Sequence, residues 1–370
     1  MDALSKLLNL SPAEKESLGV VHTLPEIVQQ PQTWLRTYAK VFNLATAIKA
    51  FLANAGIGRI DRDPPHVLVV GAGTSDYIGK SVSSLLQKEW GCHVQAVPST
   101  DLLTNMEEHI LPERGYLWIS FSRSGDSSEG VAVLEAALRY HPQIKHLIVT
   151  CNDEGRMARA FKGENVLSIV LDDAINDRGL AMTSSFTNMV IVAQALAHIR
   201  TLPAYALIIE HLEDSATQTL PLAANICERL VQAGFTKTCF LGTGPLKGAA
   251  IESSLKVLEL SGGRVMSFAE SFLGLRHGPL SAIDDNTLVV GYLSSDARRR
   301  QFELDVLQEI AGKHLTSKYL AVYSTTPENG RFSAEHSLFM GLKHDLADFY
   351  LPPLAVLVGQ FLGFFSSLKV

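Results

Sequence analysis

The sequence contains an internal repeat with an offset of 171 residues, and this repeat constrains the fold more than any other feature. Gly71 falls on Gly242 at this offset, since 242 minus 71 is 171. The other pairs in the same register are Gly73 with Gly244, Val94 with Val265, Leu117 with Leu288, Ile119 with Val290 and Phe121 with Tyr292. A register kept without a gap over about fifty residues is hard to explain by chance, so we predict a tandem duplication of one unit.

The repeated unit begins as a strand, a glycine turn and a helix. Residues 66–70 form a short, apolar, mostly β-branched run that ends at Gly71, and an amphipathic helix is predicted from about residue 76 to residue 88. The further elements predicted in this unit are strands near Val94, at 116–121 and at 146–150, and a helix over about 127–140. Strands that alternate with helices favour a parallel sheet covered on both faces.

The predicted fold class is α/β, with two tandem domains that are each a parallel-sheet, three-layer α/β/α sandwich, preceded by a helical arm. The arm covers residues 1–55, where Ser11 followed by Pro12 predicts a helix start and aromatic residues recur at a spacing of four. The first domain covers 56–205. The second covers 206–370 and opens with a helical connection that leads to a strand at 238–241.

Composition excludes several classes of function. A formal net charge of -6 over 370 residues argues against nucleic acid as a general partner, because binding the phosphate backbone needs a basic face. The four cysteines form no Cys-x-x-Cys or Cys/His cluster, so they predict buried thiols in a reducing compartment and no zinc site. The chain shows neither a signal peptide nor an apolar run long enough to span a bilayer, so we expect a cytoplasmic protein without a membrane partner.

The first glycine turn begins like a dinucleotide fingerprint. The third glycine of that fingerprint would stand at residue 76, which is Asp76, so neither a nicotinamide nor a flavin cofactor is expected. Thr74 and Ser75 stand where the N-terminus of a helix favours an anion. Alternatively, one of these two residues is simply the N-cap of the helix, and the turn alone leaves both interpretations open.

A serine-rich loop at residues 122–127, with the sequence Ser-Arg-Ser-Gly-Asp-Ser, follows the predicted strand 116–121. Short hydroxyl donors and the free N–H groups of a helix start can coordinate a phosphate without net positive charge. A flexible loop or a phosphorylation site is the alternative for such a stretch. Its position at the carboxyl end of a strand favours phosphate binding. The matching residues of the second copy, 293–296, read Leu-Ser-Ser-Asp and have lost part of this loop.

The second copy carries charged residues that the first copy lacks. A helix predicted over 249–260 presents Glu252, Lys256 and Glu259 on one face, and His277 follows in an Arg-His-Gly-Pro turn. The simplest interpretation is a solvated helix face with i,i+4 pairing and an ordinary turn residue. A carboxylate and an imidazole are also the pair that proton transfer on an open-chain sugar requires, so catalysis is the second interpretation.

Together, the serine loop, the two glycine turns, the Glu252-x-x-x-Lys256-x-x-Glu259 helix and the His277 turn resemble the sugar isomerase (SIS) family over nearly the whole chain. They are similar to the tandem isomerase half of glucosamine-6-phosphate synthase. The resemblance implies two tandem SIS domains and a phosphorylated hexose or amino hexose as the ligand. It also implies at least a homodimer, because the ring-opening histidine of the synthase comes from the neighbouring subunit.

The resemblance implies a role for each matching residue. Glu259 matches the base that moves a proton between C1 and C2, and His277 matches the group that assists ring opening. Lys256 could hold Glu259 ionised, or it could form a surface pair with it. The residues implied in substrate binding are Gly73, Thr74, Ser75, Ser122, Arg123, Ser124 and Ser127 in the two turns, and Ala181 and Thr183 in a loop whose backbone contacts the sugar.

With two tandem units and this length, the chain resembles the family members that act on galactosamine 6-phosphate. The expected reaction moves a proton from C2 to C1, after which water hydrolyses the ketose imine to tagatose 6-phosphate and ammonia. No metal or organic cofactor is expected, because the adjacent carbonyl makes the proton acidic enough for a positioned carboxylate. The alternatives are plain ketose/aldose isomerisation by the same residues and a non-catalytic phosphosugar sensor. Glutamine is not expected as a nitrogen donor, since Met1-Asp2-Ala3 offers no N-terminal cysteine nucleophile.

Overall fold

A computed structural model of the chain describes residues 2–59, 63–325, 333, 336–342 and 345–369. The chain divides into two compact units. The first-sheet unit comprises Thr33–Asp177 and Ser184–Leu207, and the second-sheet unit comprises Met1–Gln32, Arg178–Thr183 and Ile208–Val370. Met1 and Val370, the outer bounds of the predicted arm and second domain, lie outside the described residues.

Helices precede the first strand, as the sequence predicts. They are α1 (Ala3–Leu8), α2 (Pro12–Ser17), α3 (Thr23–Val28), α4 (Gln30–Asn43) and α5 (Ala45–Asn54). The predicted start at Ser11 is confirmed, because its hydroxyl accepts a hydrogen bond from the N–H of Glu14 while the Glu14 carboxylate accepts one from the N–H of Ser11.

The first sheet is parallel, with the strand order β2-β1-β3-β4-β5. Its strands are β1 (His66–Gly71), β2 (Val94–Pro98), β3 (Tyr116–Ser122), β4 (Lys145–Thr150) and β5 (Val166–Val170). The helices from the first strand onward are α6 (Thr74–Trp90), α7 (Ser99–Asn105), α8 (Ser128–Tyr140), α9 (Arg156–Arg159), α10 (Ser184–Ala197) and α11 (Leu202–Ala233).

The second sheet repeats this strand order as β7-β6-β8-β9-β10, and it is also parallel. Its strands are β6 (Lys237–Leu241), β7 (Met266–Glu270), β8 (Thr287–Leu293), β9 (Tyr319–Tyr323) and β10 (Ser337–Phe339). Its helices are α12 (Pro245–Leu260), α13 (Phe272–Leu275), α14 (Ala297–Gly312) and α15 (Pro352–Lys369). The bounds of β8 are those of β3 shifted by the 171-residue offset of the repeat.

Helices cover both faces of the first sheet because successive side chains of a strand point to opposite sides. Leu68 and Trp118 pack with Val133 of α8 on one side. On the other side, a Cβ on Gly79 of α6 would lie 3.1 Å from a side-chain carbon of Val69. The predicted α/β class, with parallel sheets covered by helices, is confirmed.

Two local expectations about helix starts are refined by the structure, and one about the cysteines is met. Helix α12 begins at Pro245 and not near Ala249, because proline suits the first position of a helix. The helical connection predicted from residue 206 begins at Leu202. The four cysteines are buried free thiols, as expected. Over the described residues, none of the helices combines the length and the apolar character that crossing a bilayer requires.

Candidate functional site

Two glycines build the turn after β1. A Cβ on Gly71 would lie 2.3 Å from the backbone carbonyl carbon of Ser75, so only glycine lets α6 begin this close to the strand. Gly73 has φ 55° and ψ −126° and is the N-cap of α6. Thr74 and Ser75 therefore lie inside the first turn of the helix, and the interpretation of either as the N-cap is wrong. Both residues are buried beside the turn.

The serine loop, residues 122–127, leaves the same edge of the sheet as this turn, because β1 and β3 are parallel neighbours. The hydroxyl oxygen of Ser122 accepts a hydrogen bond from the N–H of Gly125 at 3.1 Å, and that of Ser124 accepts one from the N–H of Asp126 at 3.2 Å. Gly125 has φ 66°, which the tight curvature requires. A hydroxyl that accepts one bond can still donate its proton, so both serines can serve an oxyanion.

The end of β4 holds the backbone of the serine loop. The carbonyl of Arg123 accepts hydrogen bonds from the N–H of Cys151 at 3.1 Å and from the hydroxyl of Thr150 at 3.2 Å. The carbonyl of Ser124 accepts a third from the side-chain amide of Asn152 at 2.9 Å. A flexible linker would lack such support. Sequence reasoning missed Asn152, although its place two residues after a predicted strand was a usable signal.

The two turns of the first-sheet unit flank the point where the strand order reverses. β1 pairs with β2 on one side and with β3 on the other, and the chain leaves β1 for β2 before it returns to β3. Open α/β sheets bind ligands at such a point. Ser127 is the N-cap of the 13-residue helix α8, so the start of this helix adds N–H groups and a favourable dipole at the same loop. The arrangement can bind an oxyanion.

In the second-sheet unit, α12 carries a charged cluster of Glu252, Lys256 and Glu259. The Nζ atom of Lys256 lies 3.1 Å from Oε1 of Glu252 and 2.8 Å from Oε2 of Glu259. The side chains of Glu252 and Lys256 are fully buried, whereas that of Glu259 is 33% exposed. The interpretations of a solvated helix face and of a surface pair are therefore wrong. Glu259 is the member of the cluster that solvent reaches.

Lys256 is a fixed cation inside this cluster. Burial alone lowers the pKa of Lys256, but the carboxylates of Glu252 and Glu259 outweigh burial and raise its pKa above the ordinary value. Lys256 is therefore protonated at neutral pH and donates a hydrogen bond to Glu259 at 2.8 Å. This bond orients a partly exposed carboxylate, which is the group that general base catalysis requires.

Helix α15 packs against the buried side of α12 through two glycines. A Cβ on Gly359 would lie 2.2 Å from the Cβ of Ser253, and a Cβ on Gly363 would lie 2.6 Å from the carbonyl oxygen of Lys256. The spacing of four places both glycines on one face of α15, so the two helix backbones approach closely. Sequence reasoning did not identify this contact, although the Gly-x-x-x-Gly spacing in an apolar segment was a signal for it.

His277 lies in an exposed turn after α13. Its backbone N–H donates to the carbonyl of Gly274 at 2.9 Å, and Gly278 follows with φ 130°. Within the part of the chain that the structure describes, no hydrogen bond joins the imidazole of His277 to Glu259. His277 is exposed, so the turn presents the imidazole to its surroundings.

The predicted sugar-contacting residues Ala181 and Thr183 lie in the segment Arg178–Thr183 of the second-sheet unit. Both residues are fully buried. The carbonyl of Thr183 accepts a hydrogen bond from the side-chain amide of Gln360 at 3.3 Å, and Glu26 accepts bonds from two successive N–H groups at the start of the segment. The backbone of the segment is thus held by buried polar side chains that sequence reasoning did not assign.

The described residues contain no group of three or more His, Cys, Asp or Glu side chains arranged to hold a metal ion. What the side chains can do is bind an oxyanion at the serine loop and accept a proton at Glu259. These two capacities belong to different sheets.

Comparison with known proteins gives consistent findings. The sequence profile of the SIS domain matches residues 62–199. The chain is 35% identical over 302 residues to D-galactosamine-6-phosphate deaminase AgaS of Escherichia coli, an alignment that covers 81% of this chain and 77% of that protein. It is 34% identical over 307 residues to the protein of the same name from Shewanella sp. (strain ANA-3), with 82% and 77% covered. The crystal structure of tagatose-6-phosphate ketose/aldose isomerase from Escherichia coli superposes with a TM-score of 0.87 at 32% identity, over 94% of this chain and 93% of that one.

Proposed function

We propose that this chain, which belongs to the SIS domain family together with the AgaS deaminases, is an enzyme that converts galactosamine 6-phosphate to tagatose 6-phosphate and ammonia. The observation that carries the proposal is the partly exposed Glu259, held by a buried lysine in a chain whose relatives are named as deaminases of this substrate. The substrate class follows from the serine loop, whose donors suit a phosphate.

In the proposed binding mode, the serine loop and the first turn of α6 hold the phosphate. Hydroxyl groups of Ser75, Ser122, Ser124 and Ser127 and the N–H groups of two helix starts supply the donors. Apart from Arg123, which the family resemblance also implies in phosphate binding, these donors are neutral, so the proposed site is compatible with a chain whose net charge is -6. Loop support from β4 keeps the donors in place before the substrate arrives.

In the proposed reaction, Glu259 takes the proton from C2 of the open-chain aldehyde and returns it to C1. The electron pair of the C2–H bond forms an enolamine, and protonation at C1 leaves an imine at C2. Water adds to this imine and releases ammonia, so the nitrogen leaves and the ketone of tagatose 6-phosphate remains. Lys256 acts as a positioning residue, because it donates to the carboxylate of Glu259.

His277 is proposed to move the proton that opens the sugar ring. Its exposure in a single chain suits a residue that is supplied to a neighbouring copy, so we propose a homodimer or a higher homo-oligomer. We also propose a cytoplasmic location, because four buried free thiols fit a reducing compartment. The two sheets are proposed to have arisen by duplication, since they share strand order and the 171-residue offset.

Plain ketose/aldose isomerisation is the second candidate, because the Escherichia coli structure with a TM-score of 0.87 carries the name of such an isomerase. The decisive experiment follows ammonia release and ketose formation with galactosamine 6-phosphate, glucosamine 6-phosphate and tagatose 6-phosphate as substrates. We expect ammonia and ketose in equal amounts from galactosamine 6-phosphate. Interconversion of tagatose 6-phosphate with its aldose, without ammonia release from either amino sugar, would favour the isomerase.

The same assay on Glu259→Gln tests the base. Activity is expected to fall by about 100-fold or more, the usual contribution of a general base. Glu210→Gln, which makes the same change at an exposed position of α11, is the control and should retain wild-type activity. Undiminished turnover by Glu259→Gln would remove Glu259 from the mechanism. Phosphosugar binding without turnover by the wild-type protein would instead indicate a sensor.

A further inference from the structure

The loop after β8 stands in the second sheet where the serine loop stands in the first. β3 and β8 are each the parallel neighbour of the strand that ends in a glycine turn, β1 and β6 respectively. The glycine turns themselves match, with φ and ψ of 55° and −126° at Gly73 and of 58° and −127° at Gly244. The second copy therefore keeps the backbone arrangement of an anion-binding edge.

Carboxyl groups of the chain itself accept hydrogen bonds from the donors of this second loop. Asp348 accepts hydrogen bonds from the hydroxyl of Ser294 at 2.6 Å and from the N–H and the hydroxyl of Ser295 at 2.7 and 2.9 Å. Glu303 accepts the N–H of Ser294 at 2.7 Å. The guanidinium of Arg299 adds an ion pair with Asp348 at 3.1 Å. Both serines thus direct their side-chain and backbone donors to carboxyl groups of the chain itself.

Asp348 is a buried anion that comes from a distant part of the chain. It is 3% exposed and lies 54 residues after Ser294. Burying a carboxylate is costly unless hydrogen bonds and a cation compensate for lost water; here the loop supplies the hydrogen bonds and Arg299 of α14 supplies the cation. The residue begins the short 3-10 helix Asp348–Tyr350, which leads directly into α15 at Pro352.

We propose that Asp348 is a built-in anion that occupies the second loop, closes this loop to phosphate groups and ties the start of α15 to the sheet. The ligand class that the emptied loop would take is inorganic phosphate or a phosphate monoester, because hydroxyl, backbone N–H and guanidinium groups are phosphate donors. The inference goes beyond the proposed reaction, since it concerns a loop that the reaction does not use. It does not depend on which sugar the enzyme converts.

The test removes the carboxylate and supplies inorganic phosphate in its place. Without phosphate, Asp348→Gly should lower the melting temperature by roughly 5 °C, because buried donors lose their anion. Adding phosphate at constant ionic strength should raise the melting temperature of Asp348→Gly more than that of the wild-type protein, since binding to the folded state stabilises it. Asp345→Gly, the same substitution at an exposed position three residues earlier, is the control and should gain no more than the wild-type protein.

Counting bound phosphate by equilibrium dialysis gives the second measurement. We expect one more phosphate per chain in Asp348→Gly than in the wild-type protein, and equal numbers with equal thermal gains would overturn the proposal. If Asp348→Gly does not fold, Ser295→Ala provides the test in an otherwise intact loop. It should lower the melting temperature without changing the phosphate count, whereas a loss of bound phosphate would show that this loop takes phosphate in the wild-type chain. Absence of any phosphate effect on the wild-type protein would count against the serine loop and not against this proposal.

Discussion

The two sheets use one backbone plan for different chemistry. Helices α6 and α12 start 171 residues apart, after glycines with nearly the same dihedral angles. At the offset of 171, Leu85 in the core of the first copy corresponds to Lys256 in the second, where a cation sits between two carboxylates. The fold supplies the turns and helix starts of both copies, while a few side chains set the chemistry that we propose for each: phosphate binding in the first copy and proton transfer in the second.

The loops after β3 and β8 also differ in their side chains while sharing one position in the sheet. The first loop offers hydroxyl groups that an external phosphate can use, and the second offers its hydroxyl groups to Asp348. We propose that each loop binds an anion, which the substrate brings to the first loop. In the second copy the chain provides it.

The largest expected effect comes from breaking the charged cluster of the second copy. Lys256→Met leaves Glu252 and Glu259 without their cation in a buried site, so the free energy of unfolding should fall by about 3–5 kcal/mol. Lys88→Met, an exposed lysine on the equivalent helix α6, should change it by less than about 0.5 kcal/mol. Urea unfolding of both variants measures the difference, and equal losses would contradict a buried, coupled cluster.

The two units should respond to pH in opposite directions. Burial lowers the pKa of His146 in the first sheet from 6.5 to about 4, so an unfolded chain binds a proton that the folded unit excludes. The first-sheet unit should therefore lose stability as the pH falls from 6.5 towards 4. Burial raises the pKa of Glu303 in the second sheet from 4.5 to about 7, so that unit should lose stability as the pH rises from 4.5 to 7.

Each change should amount to about 3 kcal/mol, from the size of the shifts. Amide hydrogen exchange of β4 and β8 across this pH range follows the two units separately. His146→Leu should remove the increase in β4 exchange that accompanies falling pH and leave β8 unchanged. Glu303→Gln should remove the increase in β8 exchange that accompanies rising pH and leave β4 unchanged. A shared pH profile in both strands would contradict the assignment of these two groups.

Serine substitutions in the two loops should separate binding from stability. Ser124→Ala should weaken phosphate binding about tenfold, the value of one hydrogen bond to a charged group, with little change in stability. Ser294→Ala removes a donor from buried Asp348, so it should cost about 1–3 kcal/mol of stability and leave phosphate affinity unchanged. Calorimetric titration with phosphate and urea unfolding measure both quantities. Weaker phosphate binding by Ser294→Ala, together with a loss of stability in Ser124→Ala, would contradict the proposed roles of the two loops.

The smallest expected difference between the two copies is in the stability of variants at their glycine turns. Gly73→Ala and Gly244→Ala each place a Cβ where no atom lies within 4 Å, so only the positive φ is unfavourable. Both should cost about 1–3 kcal/mol, the range for a residue held in a sparsely populated backbone region, and should do so equally because the backbone geometry is the same. A difference larger than about 1 kcal/mol between the two would show that the turns are not equivalent.

Much of the fold could be predicted because it depends on local patterns. Apolar β-branched runs gave the strands, and the glycine turns gave the start of each unit. The burial of Lys256 could not be predicted, because a Glu/Lys helix face is usually solvated and helix α15, which packs against α12, lies far away in sequence. The pairing of Asp348 with Ser294 escaped prediction for the same reason, because it joins residues that are distant in sequence. Serine motifs indicated the candidate phosphate loop, but not its support by Asn152.

The central claim is that the first copy holds the phosphate and the second moves the proton. Deuterium incorporation at C1 of the product, followed in D₂O over a range of galactosamine 6-phosphate concentrations, tests it most directly. Ser124→Ala should reach the wild-type rate at saturating substrate but need about tenfold more substrate. Glu259→Gln should saturate at the wild-type concentration with incorporation reduced about 100-fold or more. Wild-type incorporation by Glu259→Gln, or an unchanged saturation curve for Ser124→Ala, would contradict this division of roles.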